Sequence, residues 1–298
     1  MNINDYDLLY DLPDGEYDGR GIGGVRTVTY RAGQSLEVMC YPLIRWSQDA
    51  RREAKRRKTS AAMARINARN RERKHARIIE ANFTKAALVT TLVYNYPPPV
   101  DYRIMPGEAM RQEYQARRLP ECMEDVKRDM RRFFVRLRRR LRRVSGAEVE
   151  LKWDLTAEEG KNPPADGLPP KYHIHTIIEA TGLTREIIAE AWRGEISRCE
   201  HLGLNTDGAA RLARYLDKGD AGRKWWSHSR NLKIPQPRVS DRRVSRRRLS
   251  MMARDIMRDG REILEAIYPG YRLAEVPEVR FSDFVAGAYI YARMRRRE

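Results

Sequence analysis

Residues 169–180 read "PPKYHIHTIIEA" and hold two of the chain's five histidines, one residue apart, in an apolar run. The run reads as a strand, and side chains alternate across a strand. His173 and His175 therefore share one face, and Tyr172, Ile174 and Thr176 share the other. Two imidazoles so placed can chelate one cation, although such a pair also arises by accident of a strand's pattern. Two are too few for tight structural zinc, and no cysteine is placed to complete a tetrahedral set. A carboxylate as third ligand, with positions left open, suits Mg²⁺ or Mn²⁺ engaged with a phosphate. The carboxylates on or just after the preceding strand are Glu150, Asp154, Glu158 and Glu159.

Charge narrows the class of partner. Against 41 Asp+Glu stand 59 Lys+Arg, a formal net charge of +18 with a sequence pI near 10.0, which suits phosphate backbones. Cys40, Cys122 and Cys199 are widely spaced and form no CxxC pair, which argues against a disulfide framework or a zinc ribbon. No apolar run reaches bilayer-spanning length, and "MNINDYDLLYDLPDGEYDG" is acidic where a signal peptide is basic and then apolar. A soluble, cytoplasmic protein with no membrane partner is expected.

Along the chain, "GRGIGG" formally matches GxGxxG at Gly19, Gly21 and Gly24. A dinucleotide fingerprint follows a buried strand and opens a helix, whereas here an acidic stretch precedes and strand-like "VRTVTY" follows, so the glycines read as a flexible turn. Residues 45–77 carry thirteen Lys/Arg against three Asp/Glu, with no Pro or Gly, and read as one long or two short helices able to track phosphates. A buried strand follows from Ala86 to Tyr94, stopped by Pro97, Pro98 and Pro99. In "EDVKRDMRRFFVRLRRRLRRV", Val126, Met130, Phe133, Leu137, Leu141 and Val144 form a helical stripe for a core, with the arginines outward. "AEVELKWDLT" is a second strand, and "EEGKNPPADGLPPK" is a loop into "YHIHTIIEA". Thr184 is placed as an N-cap for a helix with Ile187, Ile188, Ala191 and Trp192 on one face. "DGAARLARYLDKG" is a short helix ending at Gly219, "MMARDIMRDGREILEAIY" another, and "GAYIYARM" a last strand. Strands and helices in this irregular order predict α+β rather than a regular βαβ series.

Three of these elements carry a resemblance. "ALVTTLVY" (87–94), "HIH" (173–175) and "YLDK" (215–218) occur in the order of the three motifs of HUH endonucleases, the initiators of rolling-circle DNA replication. "ARIIEANFTKAALVTTLVYNYP", "EEGKNPPADGLPPKYHIHTII", "LARYLDKG" and "SRNLKIPQP" resemble the replication initiators (Rep proteins) of small bacterial plasmids and filamentous-phage-like elements. The resemblance covers residues 70–240 well and the remainder loosely.

The resemblance implies an antiparallel-sheet HUH nicking domain over 81–237, with flanking helices. An acidic tail and basic helical arm (1–80) precede it and a basic helical and strand extension (238–298) follows. It implies that Tyr215 attacks a phosphodiester of single-stranded or hairpin origin DNA, leaving a 5′-phosphotyrosine link and a free 3′-hydroxyl. His173, His175 and a glutamate hold Mg²⁺ or Mn²⁺, and Lys218, one turn beyond Tyr215, positions the phosphate or lowers the tyrosine's pKa. Relatives place the glutamate in a Glu-x-Gly register, which selects Glu158, with Glu159 as the neighbour to be distinguished from it. Arg211, Arg214, Arg223, Lys224, Arg230 and Lys233 are the implied DNA contacts, and the basic helices at 45–77 and 127–143 hold flanking DNA. Host helicase and polymerase are the implied protein partners.

Two departures stand out. Phage-type relatives carry "YxxKYxxK", but the first position here is Arg211, so a single-tyrosine initiator is expected, ending its cycle with a second subunit or another nucleophile. Val93 also stands where a second threonine is usual. A relaxase or transposase would share this centre, and a nuclease-dead nucleic-acid-binding protein would share the fold. Trp225 and Trp226 read as core residues or as stacking platforms for single-stranded DNA. His201 and His228 have no companion at ligand spacing.

Overall fold

A computed structural model describes residues 19–46, 61–95, 107, 119–160, 170–203, 208–217, 224–281 and 287–297. The acidic tail over 1–18, the first part of the basic arm (47–60) and the loop 161–169 lie outside the described residues. In chain order the elements are β1 (Gly19–Ala32), β2 (Ser35–Trp46), α1 (Ala61–Asn82), β3 (Leu88–Val93), α2 (Met123–Ser145), β4 (Lys152–Glu159), β5 (Tyr172–Glu179), α3 (Arg185–Trp192), β6 (Glu195–His201), α4 (Gly208–Asp217), β7 (Lys224–His228), β8 (Arg238–Ser240), α5 (Arg246–Arg254), a π-helical turn (Ile256–Gly260), α6 (Arg261–Ile267), β9 (Tyr271–Leu273), β10 (Glu278–Phe281) and β11 (Ala288–Arg296). The protein is α+β, with antiparallel open sheets. No described helix is long and apolar enough to cross a membrane.

The chain divides into two compact units, Asn82–Leu232 and a unit made of Met1–Ala81 with Lys233–Glu298. The segments read above as an arm and as a separate extension thus belong to one unit, because β11 pairs with β2 and β8 with β1 in a single sheet. The glycines read as a flexible turn lie in β1, whose register with β2 is irregular between Gly21 and Val25. The β1–β2 hairpin turns at Gly33, where φ is +55° and a Cβ would lie 2.3 Å from the Glu80 carbonyl oxygen, so only glycine fits. One face of the sheet packs Leu36, Val38, Cys40, Ile290 and Met294 with Leu249 and Met252 of α5 and Leu264 of α6. The stretch read as one helix from Met251 breaks at Asp255, whose side chain accepts from the Arg258 N–H at 3.0 Å and offers the backbone a cap in place of helix continuation.

Helix α1 has no clean apolar stripe, and its arginines reach sheet residues. Arg73 lies over the Tyr291 ring at 3.3 Å and pairs with Glu278 at 2.7 Å. Arg77 lies over Tyr30 at 3.8 Å and pairs with Glu37 at 2.8 Å, and Arg293 pairs with Glu80. Arg73 and Arg77, within the helix expected to track phosphates, are thus engaged by carboxylates and tyrosines of their own sheet.

The Asn82–Leu232 unit is a five-stranded sheet in the order β6-β3-β5-β4-β7. Helix α2 covers one face because its apolar residues recur at three- and four-residue steps. Val126, Met130, Phe133, Phe134, Leu137 and Leu141 are buried against Leu92, Leu155, Ile174 and Ile178. Each such side chain contributes about 1.5–3 kcal/mol by leaving water. The expected stripe overreaches by one residue, since Val144 is 66% exposed in the last turn. Glu124 and Asp125 in the first turn, Arg142 and Arg143 in the last, and Gly146 in the left-handed region suit the helix dipole and end the helix. Thr184 caps α3, accepting from the Ile187 N–H, as its position predicts. Trp192 then donates to the Val93 carbonyl at 3.0 Å, tying α3 to β3.

Strand β4 runs to Glu159 instead of starting at Ala147, so Glu158 and Glu159, read above as loop residues, sit in a strand. Leu137→Ala should destabilise this unit by about 2–5 kcal/mol, while Val144→Ala should change stability by less than about 0.5 kcal/mol, both read by urea unfolding. At Gly194 a Cβ would stand 2.6 Å from the Val93 carbonyl oxygen. Gly194→Ala should cost about 1–3 kcal/mol in the same assay.

Candidate active site

Strand alternation and register assemble one face of this sheet. Glu158 pairs with His173 and Thr156 with His175 across β4 and β5. Thr91 and Val93 of β3 oppose His175 and His173. Lys224 of β7 opposes Glu158. Glu158 therefore stands on the histidine face, and Glu159, opposite Tyr172, on the other. Register separates two neighbouring glutamates that sequence leaves adjacent. Of the other carboxylates considered, Asp154 accepts from the Trp226 indole N–H at 3.0 Å, and Glu150, ahead of the strand, accepts from Asn231 at 3.3 Å.

His175 is buried and is the hub. Its Nδ1 lies 3.1 Å from Thr91 Oγ1 and its Nε2 lies 3.3 Å from Glu158 Oε1. With Glu158 ionised, Nε2–H donates to the carboxylate and Nδ1 accepts from the threonine hydroxyl. A hydroxyl can reverse that role, which leaves Nε2 able to serve as a ligand. Glu158 Oε2 pairs with Lys224 Nζ at 3.0 Å, and the same Nζ donates to the Leu216 carbonyl at 2.9 Å. Lys224 thus joins the carboxylate to the last turn of α4, where backbone carbonyls lack helical partners. The His175 hydrogen bond and then Lys224 hold the Glu158 carboxyl at about 2, against the opposing effect of burial. His173 is half-buried, and desolvation followed by its neighbour His175 lowers its pKa.

Helix α4 buries Ala209, Ala213 and Leu216 and leaves Arg211, Arg214 and Tyr215 exposed. The Tyr215 ring meets His175 edge to face at a centroid distance of 5.3 Å and 77°. Tyr215 is 53% exposed, and its hydroxyl has no hydrogen-bond partner among the described residues. Tyr215, His175 and Glu158, 57 residues apart in sequence at the extremes, meet on one face.

Of the expected DNA contacts, Arg230 and Lys233 are exposed, and Lys233 belongs to the other unit. Lys224 is turned onto Glu158 instead of outward. Lys218 and Arg223 lie outside the described residues. Within "SRNLK", Ser229 and Asn231 latch the start of β4. The Trp153 N–H donates to Ser229 Oγ at 3.1 Å, and Asn231 donates to the Leu151 carbonyl at 3.4 Å. Thr91 and the second role of Lys224 escape sequence reasoning. The only available signal for Thr91 is its parity with the histidines across β3 and β5.

Among the described residues, no group of three or more His, Cys, Asp and Glu side chains is gathered closely enough to hold a metal ion. The donor chemistry nevertheless fits a divalent cation. Two imidazoles and one carboxylate share a face, and Thr156 Oγ1, opposite His175, is buried with no hydrogen-bond partner among the described residues. Compared with protein-family models, curated proteins and solved structures, the chain finds no match in any of the three.

The lowered Glu158 pKa fixes a pH window. Its stabilising contribution is complete above the unfolded carboxyl pKa of about 4.3 and is lost as pH falls toward about 2. The stability difference between wild type and Glu158→Gln should therefore shrink across that interval in denaturant titrations. In wild type the carboxyl should titrate near 2 by ¹³C NMR, and Lys224→Met should raise that midpoint part of the way toward about 4.3.

Proposed function

We propose that the Asn82–Leu232 unit is an HUH-type nickase that opens single-stranded or hairpin origin DNA through Tyr215 and so starts rolling-circle replication. The observation that carries this reading is the Tyr215 ring packed edge-on against His175, on the face that also bears His173 and Glu158. The Tyr215 oxygen attacks the phosphorus, the bond to the 3′-oxygen breaks, and the tyrosine's proton is balanced by protonation of the released 3′-hydroxyl. The 5′-phosphate stays joined to Tyr215. Reversal by a 3′-hydroxyl rejoins the strand and frees the tyrosine.

His173, His175 and Glu158 would hold Mg²⁺ or Mn²⁺, which when bound neutralises a non-bridging phosphate oxygen. Thr91 orients His175, and Lys224 keeps Glu158 ionised while holding the end of the tyrosine helix. Arg211 and Arg214, exposed on α4, contact the DNA backbone. With arginine at 211 the site has one tyrosine, so closing the replication cycle calls on a second subunit or another nucleophile. Host helicase and polymerase would extend the freed 3′-end.

Incubation with Mn²⁺ and a pool of labelled single-stranded hairpins, followed by a denaturing gel, should leave label on wild-type protein. Tyr215→Phe, the His173→Ala/His175→Ala pair and EDTA should each abolish that label. Label persisting in Tyr215→Phe would contradict the assignment, and native-gel binding without any adduct would favour a nucleic-acid-binding protein of the same fold. Independently of activity, Mn²⁺ should broaden the imidazole NMR signals of His173 and His175 before those of His201 and His228, and Glu158→Gln should weaken the effect.

A further inference from the structure

The sheet face opposite the histidines carries a second feature. There a cleft of about 360 Å³ opens between α2 and the β4–β7 edge, walled by Arg131, Val135 and Arg138 and floored by Trp153 and Trp225. Among the described residues β7 ends the sheet, on the Trp225 side of the cleft. The Trp153 ring is fixed by stacking on Phe134, with centroids 4.1 Å apart and 12° between planes. Lys127 stands 5.9 Å over Trp225. Val135 is 50% exposed at the lip.

The charge around the cleft is not internally balanced. Several α2 arginines are engaged, Arg128 with Asp125, Arg132 with Asp129 and Arg142 with Glu148. Arg131, Arg138, Arg139 and Arg143 are in contact with no carboxylate among the described residues. Arg131 and Arg138 lie two helical turns apart, about 10 Å along the axis. An apolar aromatic floor between unbalanced guanidinium groups matches a ligand that alternates flat π-faces with anionic linkers.

The geometry points to a binding site for single-stranded nucleic acid in this cleft, with a base stacked on Trp225 and Trp153 and flanking phosphates on Arg131 and Arg138. Duplex is disfavoured, because its bases are already stacked on each other and cannot enter. The site is separate from the Tyr215 centre and does not rest on the nicking reaction. Trp225 and Trp226, adjacent in sequence, serve opposite faces: Trp226 holds Asp154 on the histidine side and Trp225 floors the cleft.

The test is fluorescence anisotropy of a labelled oligo-dT strand against the full chain carrying Tyr215→Phe, in EDTA, so that no cleavage intervenes. Adding Trp225→Ala should weaken binding about five- to hundredfold, and Trp225→Phe, which keeps a ring and controls for folding, should restore most of it. Arg131→Gln/Arg138→Gln should reduce the slope of log affinity against log salt by about 1.4, two phosphates at about 0.7 each. Duplex of the same length should bind more weakly and respond little to Trp225→Ala. Unchanged oligo-dT affinity in Trp225→Ala, or equal losses for single strand, duplex and heparin, would overturn the proposal by reducing the cleft to a plain polyanion surface. Loss of the Tyr215 adduct in the earlier assay with this binding pattern intact would sink the nicking reading and leave the cleft standing.

Discussion

The candidate site depends on the register of β4 against β5. Glu158 opposite His173 and Thr156 opposite His175 put a carboxylate, two imidazoles and a buried hydroxyl on one face. A slip of one residue would turn Glu158 to the α2 side and bring Glu159 to the histidines, since side-chain parity reverses with each step. The register is held by the apolar opposite face, where Leu155, Ala157, Ile174 and Ile178 are buried under α2. The core thus fixes the chemistry on the other side of the same strands. Ser229 and Asn231 add a polar latch at the start of β4.

Lys224 is the second constraint. One ammonium serves Glu158 and the Leu216 carbonyl, so the end of the tyrosine helix and the carboxylate share a partner. Tyr215 sits one residue before Leu216, and its ring meets His175 edge to face. A cation held by Glu158 would compete with Lys224 for one carboxylate. Occupancy of the site would then be coupled to the position of α4 through a single side chain.

The chain's excess of positive charge is not one surface. In α1 part of it is drawn inward, where Arg73 and Arg77 lie on tyrosine rings and carboxylates of their own sheet, and Arg65 and Lys74 stay exposed. On α2 much of it remains outward, and four arginines have no carboxylate in contact among the described residues. Composition counts both groups equally, although Arg73 and Arg77 are engaged within their own sheet while Arg131, Arg138, Arg139 and Arg143 are exposed. The α+β class, the α2 stripe, the Thr184 cap and the shared face of His173 and His175 were legible because each rests on short-range periodicity. Strands β6 and β7 were not. "EISRCEH" is largely exposed and becomes a strand by pairing with β3, and "KWWSH" is an edge strand set by β4. The inward turn of Lys224 was hidden for the same reason, since its partner lies 66 residues away in sequence.

The most direct test of the central claim is to locate the bond. The protein would be reacted with single-stranded hairpin DNA and Mn²⁺, trimmed with nuclease, digested with trypsin and sequenced by tandem mass spectrometry. The account predicts a nucleotide phosphate on Tyr215, in the peptide Tyr215–Lys218. A phosphate on any other of the 15 tyrosines, or cleaved DNA with no modified peptide, would contradict it.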